Sequence, residues 1–131
     1  MPLPSIGIVL PMINSINAVV DTYIASWNEG DEARRRELVA DAFTADARYL
    51  DPLMAGEGTD GITAMIGAAQ AQFPGHRFEL AFGPDAHNDV VRFAWRLVGD
   101  DGPVAGGTDF ATVADDGRLR NVTGFLETAE A

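Results

Sequence analysis

The sequence predicts an α+β fold in which a curved antiparallel sheet wraps around three helices from the N-terminal half and leaves a conical internal cavity. Three observations predict it. Apolar residues recur at helical spacing as far as Phe73 and at alternating spacing after it. Clusters of Gly, Asp, Asn and Pro separate the alternating runs at hairpin intervals. At 131 residues, 47% of them hydrophobic, the chain fits one domain with apolar side chains to spare for a core and a pocket.

The opening "MPLPSIGIVLPMI" is apolar but has three prolines and no basic residue, which makes a poor signal peptide. It reads as a loosely held arm over residues 1–14 that covers part of the fold, ahead of a single domain over 15–131. The first helix runs from about Ser15 to Asn28. Ile16, Val19, Val20, Tyr23, Ile24 and Trp27 form its inner stripe, and Asn14 or Ser15 caps it. Gly30 reverses the chain, and Asp31 caps a second helix to about Phe43 with Leu38, Val39, Ala42 and Phe43 inward. Arg34, Arg35 and Arg36 sit among acids there and read as a solvated face.

"ARYL" is a short strand that ends at Asp51-Pro52. A carboxylate thus stands where the strand leaves the core, followed by a glycine-rich turn. Thr59 or Asp60 caps a third helix with Ile62, Met65, Ile66, Ala69 and Phe73 on one face, and Pro74-Gly75 stops it. Then Phe78, Leu80 and Phe82 alternate with other residues, as do Val91, Phe93, Trp95 and Leu97. "GTDFATV" and "LRNVTGFLE" follow, with hairpin turns at "PDAHND", "GDDGP" and "ADDG".

Composition excludes several functions. With 20 acids against 9 bases the net charge is −11, which opposes binding to nucleic acid or to an anionic membrane surface. No cysteine is present, so disulfides, thiolate catalysis and cysteine-bound zinc are ruled out. No apolar run reaches the length of a membrane span, and the chain reads as cytoplasmic. Two histidines without an acidic partner nearby give no metal site; His76 and His87 sit near turns, and a surface role suits them. No phosphate loop, dinucleotide fingerprint or serine nucleophile elbow occurs, so no cofactor is expected.

Several strings resemble the nuclear transport factor 2-like superfamily, nearest its SnoaL-like and ketosteroid isomerase-like branches. They are "YIASWNEGD", "ARYLDP", the "GTDGI" helix start and the closing "DDGRLRNVTGF". The resemblance covers roughly Ile16 to Glu127 and implies a cone-shaped α+β barrel with a pocket inside. "AVVDTYIASWNEGD" matches the isomerase family's first helix, so Tyr23 falls on its oxyanion-hole tyrosine. Asp51, in its Asp-Pro pair after the first strand, falls on the general base. Asp109, eight residues before Gly117, falls on the second oxyanion donor. The family usually supports its oxyanion tyrosine with another on the third helix; here that position is Ile66, and the only other tyrosine is Tyr49.

The resemblance implies catalytic roles for Asp51, Tyr23 and Asp109. Asp51 would take a proton from the carbon beside a carbonyl, and Tyr23 with a protonated Asp109 would hold the enolate oxygen. Burial raises a carboxyl's pKa, which makes a neutral Asp109 possible. Trp27, Tyr49, Met54, Met65, Ile66, Phe78, Trp95 and Phe125 are expected to line the pocket as substrate-binding residues. If Asp109 faces inward, Ala111 and Val113 do too, and Phe110 faces out as a dimer face. Taken singly, each polar residue has a plainer reading: Asp51 a capped loop acid, Tyr23 a core tyrosine, Asp109 a polar residue near a strand start.

Three functions remain open at this level. One is a cofactor-independent enzyme acting on a small hydrophobic carbonyl compound, by double-bond isomerisation or by the aldol ring closure of SnoaL-like polyketide cyclases, where Asp109 alone would move the proton. Another is a non-catalytic module that binds a small apolar ligand or a peptide. The third is an interaction domain that works as a homodimer.

Overall fold

The computed structural model describes residues 6–127, and side chains from Ser15 to Glu127. Helix α1 spans Ile6–Asn28, α2 Glu32–Ala42 and α3 Gly58–Gln72. Strands β1 (Phe43–Leu50), β2 (Ala55–Glu57), β3 (Arg77–His87), β4 (Val90–Gly99), β5 (Gly102–Val113) and β6 (Leu119–Glu127) form one sheet in the order β2-β1-β6-β5-β4-β3. The α+β class is as the sequence predicts, with a strand between the second and third helices and the remaining long strands after them; the glycine-rich turn expected after Asp51-Pro52 contains the short strand β2 as well.

The details correct several expectations. Helix α1 starts at Ile6, so Asn14 and Ser15 lie within it and are not its caps. From Ile6 on, the expected arm is helical backbone; its first five residues lie outside the described part. The sheet is not wholly antiparallel, because β1 runs parallel to β6, with Tyr49 opposite Val122. The sheet also stays open, with β2 at one edge and β3 at the other. Thr59 and Asp60 fall inside the first turn of α3, whose N-cap is Glu57 without a side-chain bond. "PDAH" continues β3, so that turn shrinks to Asn88-Asp89, with Asn88 at φ 52°.

Asp31 caps α2 as expected, its carboxylate accepting from Arg34 N at 2.9 Å. Phe43 leaves the helix for extended backbone and begins β1, still fully buried. Arg35 contradicts the solvated-face reading, being only 6% exposed. It lies one turn before Val39 on the buried stripe and donates to Glu29 O, Gly30 O, Thr63 O and Gln70 Oε1 at 3.0–3.5 Å. A buried charge is tolerated only when its donors are satisfied, and this one staples α2 to α3 and to the α1–α2 turn.

Alternation sets the two faces of the sheet. Val91, Phe93 and Leu97 on β4, Asp109 and Ala111 on β5, and Val122 and Gly124 on β6 point inward and are buried, and a register shift between β5 and β6 brings Leu119 inward as well. Bulges on either side of Phe82 break the phase of β3, so Phe82 is exposed against expectation. Inside, the Tyr23 ring meets Phe43 at 5.6 Å and Phe93 at 5.3 Å, edge-on. Such pairs add about 0.5–1.5 kcal/mol each beyond the area they bury. The core thereby fixes the helix that carries Tyr23 against the strands that carry Asp109. Among the described residues, no helix is long and apolar enough to cross a membrane, and no group of three His, Asp or Glu could hold a metal ion.

Candidate active site

Tyr23, Asp51 and Asp109 come from a helix, a turn and a strand far apart in sequence, and they line one cavity of about 120 Å³. Apolar side chains make up nearly all of the remaining wall: Ile24, Trp27, Leu53, Met54, Ala69, Phe73, Phe78, Trp95, Leu97, Ala105 and Leu126. A site of few polar groups converging in an apolar hollow is the usual form of a small-molecule pocket.

Asp109 sits on β5 between Phe93 of β4 and Gly124 of β6. Tyr23 Oη donates to its Oδ2 at 2.6 Å, and Trp95 Nε1 donates to its Oδ1 at 3.0 Å. Burial pushes the Asp109 carboxyl up to about 6; the two donors oppose this, and the neighbouring charge of Asp51 adds to it. Burial also raises the Tyr23 phenol well above its usual value, helped by the Asp109 charge, so Tyr23 stays a neutral donor.

Asp51 lies just past β1, and the turn is built around it. Its Oδ1 accepts from Leu53 N at 2.7 Å and Met54 N at 2.9 Å, while its own N–H donates to Met54 O at 2.9 Å. Pro52, which has no N–H, occupies the one turn position where none is wanted. Tyr49 Oη donates to Asp51 Oδ2 at 2.6 Å, because residues two apart on a strand share a face. The second tyrosine therefore supports Asp51 and not Tyr23, and burial with the two nearby carboxylates raises its pKa strongly. Accepting three bonds is the chemistry of an ionised carboxylate. Asp51 thus satisfies both of its sequence readings: it caps its turn, and it faces the cavity.

Gly124 brings the two acids together. A Cβ there would lie 2.8 Å from Asp109 Oδ1, 3.3 Å from Asp51 Cβ and 3.4 Å from Tyr49 Oη. Any side chain at this position would wedge the pair apart.

Of the residues expected to bind substrate, Trp27, Met54, Phe78 and Trp95 line the cavity. Tyr49, Met65 and Ile66 do not reach it; they belong to the packed core behind it. Phe125 is on the other side of the sheet, 57% exposed, its ring 5.8 Å from that of Phe110. With Val122 and Gly124 facing in, strand alternation sends Phe125 out and brings Leu126 to the cavity rim. Leu126 and Ala105 were missed, although counting in twos from Gly124 and from Asp109 finds both. Phe73, expected on the helix face, caps the end of α3 and forms part of the rim. His76 borders an adjoining cavity of about 190 Å³ that shares Trp27, Phe73 and Phe78 with the first. One polar atom stands out: Trp27 Nε1 is the buried side-chain nitrogen or oxygen that lacks a partner among the described residues. An unmet buried donor costs about 1–3 kcal/mol.

The SnoaL-like domain model matches residues 20–122. Among solved structures, a candidate isomerase of the SnoaL-like family from Agrobacterium tumefaciens str. C58 is 51% identical, covering 88% of this chain and 99% of its own, with a TM-score of 0.82. A candidate SnoaL-like polyketide cyclase from Jannaschia sp. CCS1 is 20% identical over 89% of this chain and 88% of its own, with a TM-score of 0.67. A candidate polyketide cyclase from Sinorhizobium meliloti is 18% identical over 82% of this chain and 93% of its own, with a TM-score of 0.63. The last two share the fold alone. Among proteins of curated function, none matches the chain at a significant level.

Proposed function

Because the chain belongs to the SnoaL-like domain family, we propose that it moves a proton between carbons of a small apolar carbonyl compound, without a cofactor, as a double-bond isomerase does. The observation that carries this is the meeting of Asp51, Tyr23 and Asp109 in one apolar cavity, with the two carboxyls in unlike environments. Paired acids whose surroundings differ in this way divide the roles of base and proton donor.

In the proposed reaction the Asp51 carboxylate takes a proton from the carbon beside the carbonyl. The released electron pair moves onto oxygen and forms an enolate. Below about pH 6, where Asp109 is neutral, Tyr23 and Asp109 carry one O–H each beside that oxygen. One of these hydrogens can lie along the 2.6 Å bond between them while the other points at the substrate. Asp51 then returns the proton to the far end of the enolate, which shifts the double bond. A cavity of about 120 Å³ suits a single ring; an engineered apolar cavity of about 150 Å³ takes up benzene.

The test is turnover of a single-ring β,γ-unsaturated ketone, followed by the absorbance of the conjugated product. Asp51→Asn should lower kcat by about 10²–10⁴. Asp109→Asn should keep most of the activity, since its amide remains a donor. A second reading draws on the two donors that Asp109 accepts from, which suit it as the sole acid and base of an aldol ring closure. The reverse result, with Asp109→Asn inactive and Asp51→Asn active, would favour that reading. The exposed Phe110 and Phe125 suit a homodimer face, and Phe110→Glu should then halve the mass measured by light scattering.

A further inference from the structure

The adjoining cavity of about 190 Å³ is larger than the one that holds Asp51 and Asp109, and Trp27, Ala69, Phe73, Phe78 and Leu97 wall both. The two hollows differ in chemistry. Polar side chains reach the outer one from three places: Asn28 at the end of α1, Gln70 on α3 and His76 in the turn before β3. Two of the three are occupied in building the wall. Asn28 Nδ2 donates to Phe78 O at 2.9 Å, and Asn28 Oδ1 accepts from Phe78 N at 2.7 Å, as a neighbouring strand would. The Gln70 amide donates to Trp27 O and Glu29 O at 3.0 Å each, and its oxygen accepts from Arg35 at 3.2 Å.

His76 is held in place but keeps one nitrogen free. Its Nδ1 lies 3.0 Å from Pro74 O, and its ring meets that of Phe73 edge-on at 5.8 Å. A Cβ on Gly99 would lie 2.7 Å from His76 Nε2. Gly99 shares the inner face of β4 with Leu97, which lines both cavities, so the imidazole fills the room that a side chain would take on that face. A carbonyl only accepts, so Nδ1 carries the hydrogen and the neutral ring presents Nε2 as a bare lone pair. That nitrogen has no partner among the described residues, and it is not sealed in by packing as Trp27 Nε1 is.

We propose that the two cavities are compartments of one ligand site, and that His76 Nε2 accepts a hydrogen bond from a hydroxyl on the ligand. This deepens the proton-transfer reading above and rests on it for the place of the reacting ring. The substrate class becomes a single-ring ketone that carries, away from its carbonyl, a short arm ending in an alcohol. The ring lies against Asp51, Tyr23 and Asp109, and the arm passes Phe73, which borders both hollows. An imidazole already fixed by Pro74 and Phe73 loses little freedom when it binds. A methyl in place of the hydroxyl leaves the nitrogen unmet in an occupied cavity, so His76 selects for the alcohol.

The test uses two probes of nearly equal shape on the full chain at pH 8, 4-(3-hydroxypropyl)phenol and 4-butylphenol. Nitrogen-15 NMR resolves the ring nitrogens of His76 and His87, assigned with His76→Leu. Saturation with the hydroxypropyl compound should move His76 Nε2 upfield, as accepting a hydrogen bond does, and 4-butylphenol should leave it in place. His76→Leu should weaken binding of the hydroxypropyl compound about tenfold while changing that of 4-butylphenol by less than twofold. A hydroxypropyl compound that does not bind, equal losses for both probes, or an Nε2 signal that the alcohol leaves unmoved would overturn the proposal. The wild-type spectrum decides this even where the variant folds badly. The two ideas fail separately. A shifted Nε2 in a protein whose Asp51→Asn and Asp109→Asn variants keep full turnover leaves the outer compartment and removes the catalytic reading. Lost turnover in those variants with an unmoved Nε2 does the opposite.

Discussion

Replacing Asp109 with Asn should stabilise the protein in a pH-dependent way. Burial lifts this carboxyl from its ordinary 3.8 to about 6. That corresponds to about 3 kcal/mol against the charged form in the folded state. The folded protein then holds a proton between these two values that the unfolded chain has already released. Stability accordingly falls as pH rises through this window. Below about pH 4 the group is neutral in both states and contributes no penalty; above about pH 7 the whole penalty applies. Asparagine has nearly the same shape and no charge. Its Oδ1 can accept from Trp95, and its amide can donate to Tyr23, whose hydroxyl turns to suit. Urea unfolding of both proteins at pH 4 and pH 8 measures the effect. The variant should come within about 0.6 kcal/mol of the wild type at pH 4 and exceed it by about 2–3 kcal/mol at pH 8. The other acids titrate alike in both proteins and cancel in the difference. The exception is Asp51, whose charge adds to the penalty, so an Asp51→Asn background should narrow the gap. A difference that stays constant between pH 4 and pH 8 would refute the reasoning, since Asp109 would then ionise as freely when folded as when unfolded.

Three further outcomes follow from the same geometry. Tyr23→Phe removes a donor that lowers the Asp109 pKa, so the carboxyl should titrate higher still, a change that carbon-13 NMR of the side chain reads directly. Gly124→Ala places a methyl 2.8 Å from Asp109 Oδ1 and should cost about 1–3 kcal/mol in urea unfolding while reducing turnover, as overpacking does. Arg35→Ala removes a buried guanidinium with its four hydrogen bonds, one to the buried Thr63 carbonyl and three to partly buried groups, and should cost about 2–4 kcal/mol in urea unfolding, whereas alanine at the exposed Arg34 should change stability by less than about 0.5 kcal/mol.

Much of the site was legible because the features that place it are local. Tyr23 shares a helical stripe with Val19, Val20 and Trp27, so burying the stripe brings its hydroxyl inward. Asp109 shares a strand face with Ala111, and Asp51 a turn with Pro52. What misled was apolarity read without phase. Phe125 is large and apolar, as a pocket residue would be, but Val122 and the glycine at 124 fix the phase of β6 and turn Phe125 outward. Arg35 was concealed by its neighbours. Three consecutive arginines look equivalent in composition, although one turn of helix separates Arg35 from the buried Val39. A hydrophobicity pattern has no place for a buried guanidinium, even one that reaches four acceptors by passing over Gly67, where a Cβ would sit 2.9 Å from Nη1.

The parallel pairing of β1 with β6 had no local signal at all, yet it positions Asp51. The register that sets Tyr49 opposite Val122 brings the end of β1 beside Gly124, which itself pairs with Asp109. Two carboxylates that repel one another are thus held together by backbone hydrogen bonds and by the absence of a side chain. Neither leaves a mark on a single sequence beyond one unremarkable glycine. The same register explains why the acids differ. Asp51 lies where a strand ends, so free N–H groups of the turn are at hand to receive its charge. Asp109 lies within a strand whose N–H groups serve the ladder, and only the side chains of Tyr23 and Trp95 reach it. Position within the sheet is therefore what separates an acid suited to accept a proton from one suited to hold it.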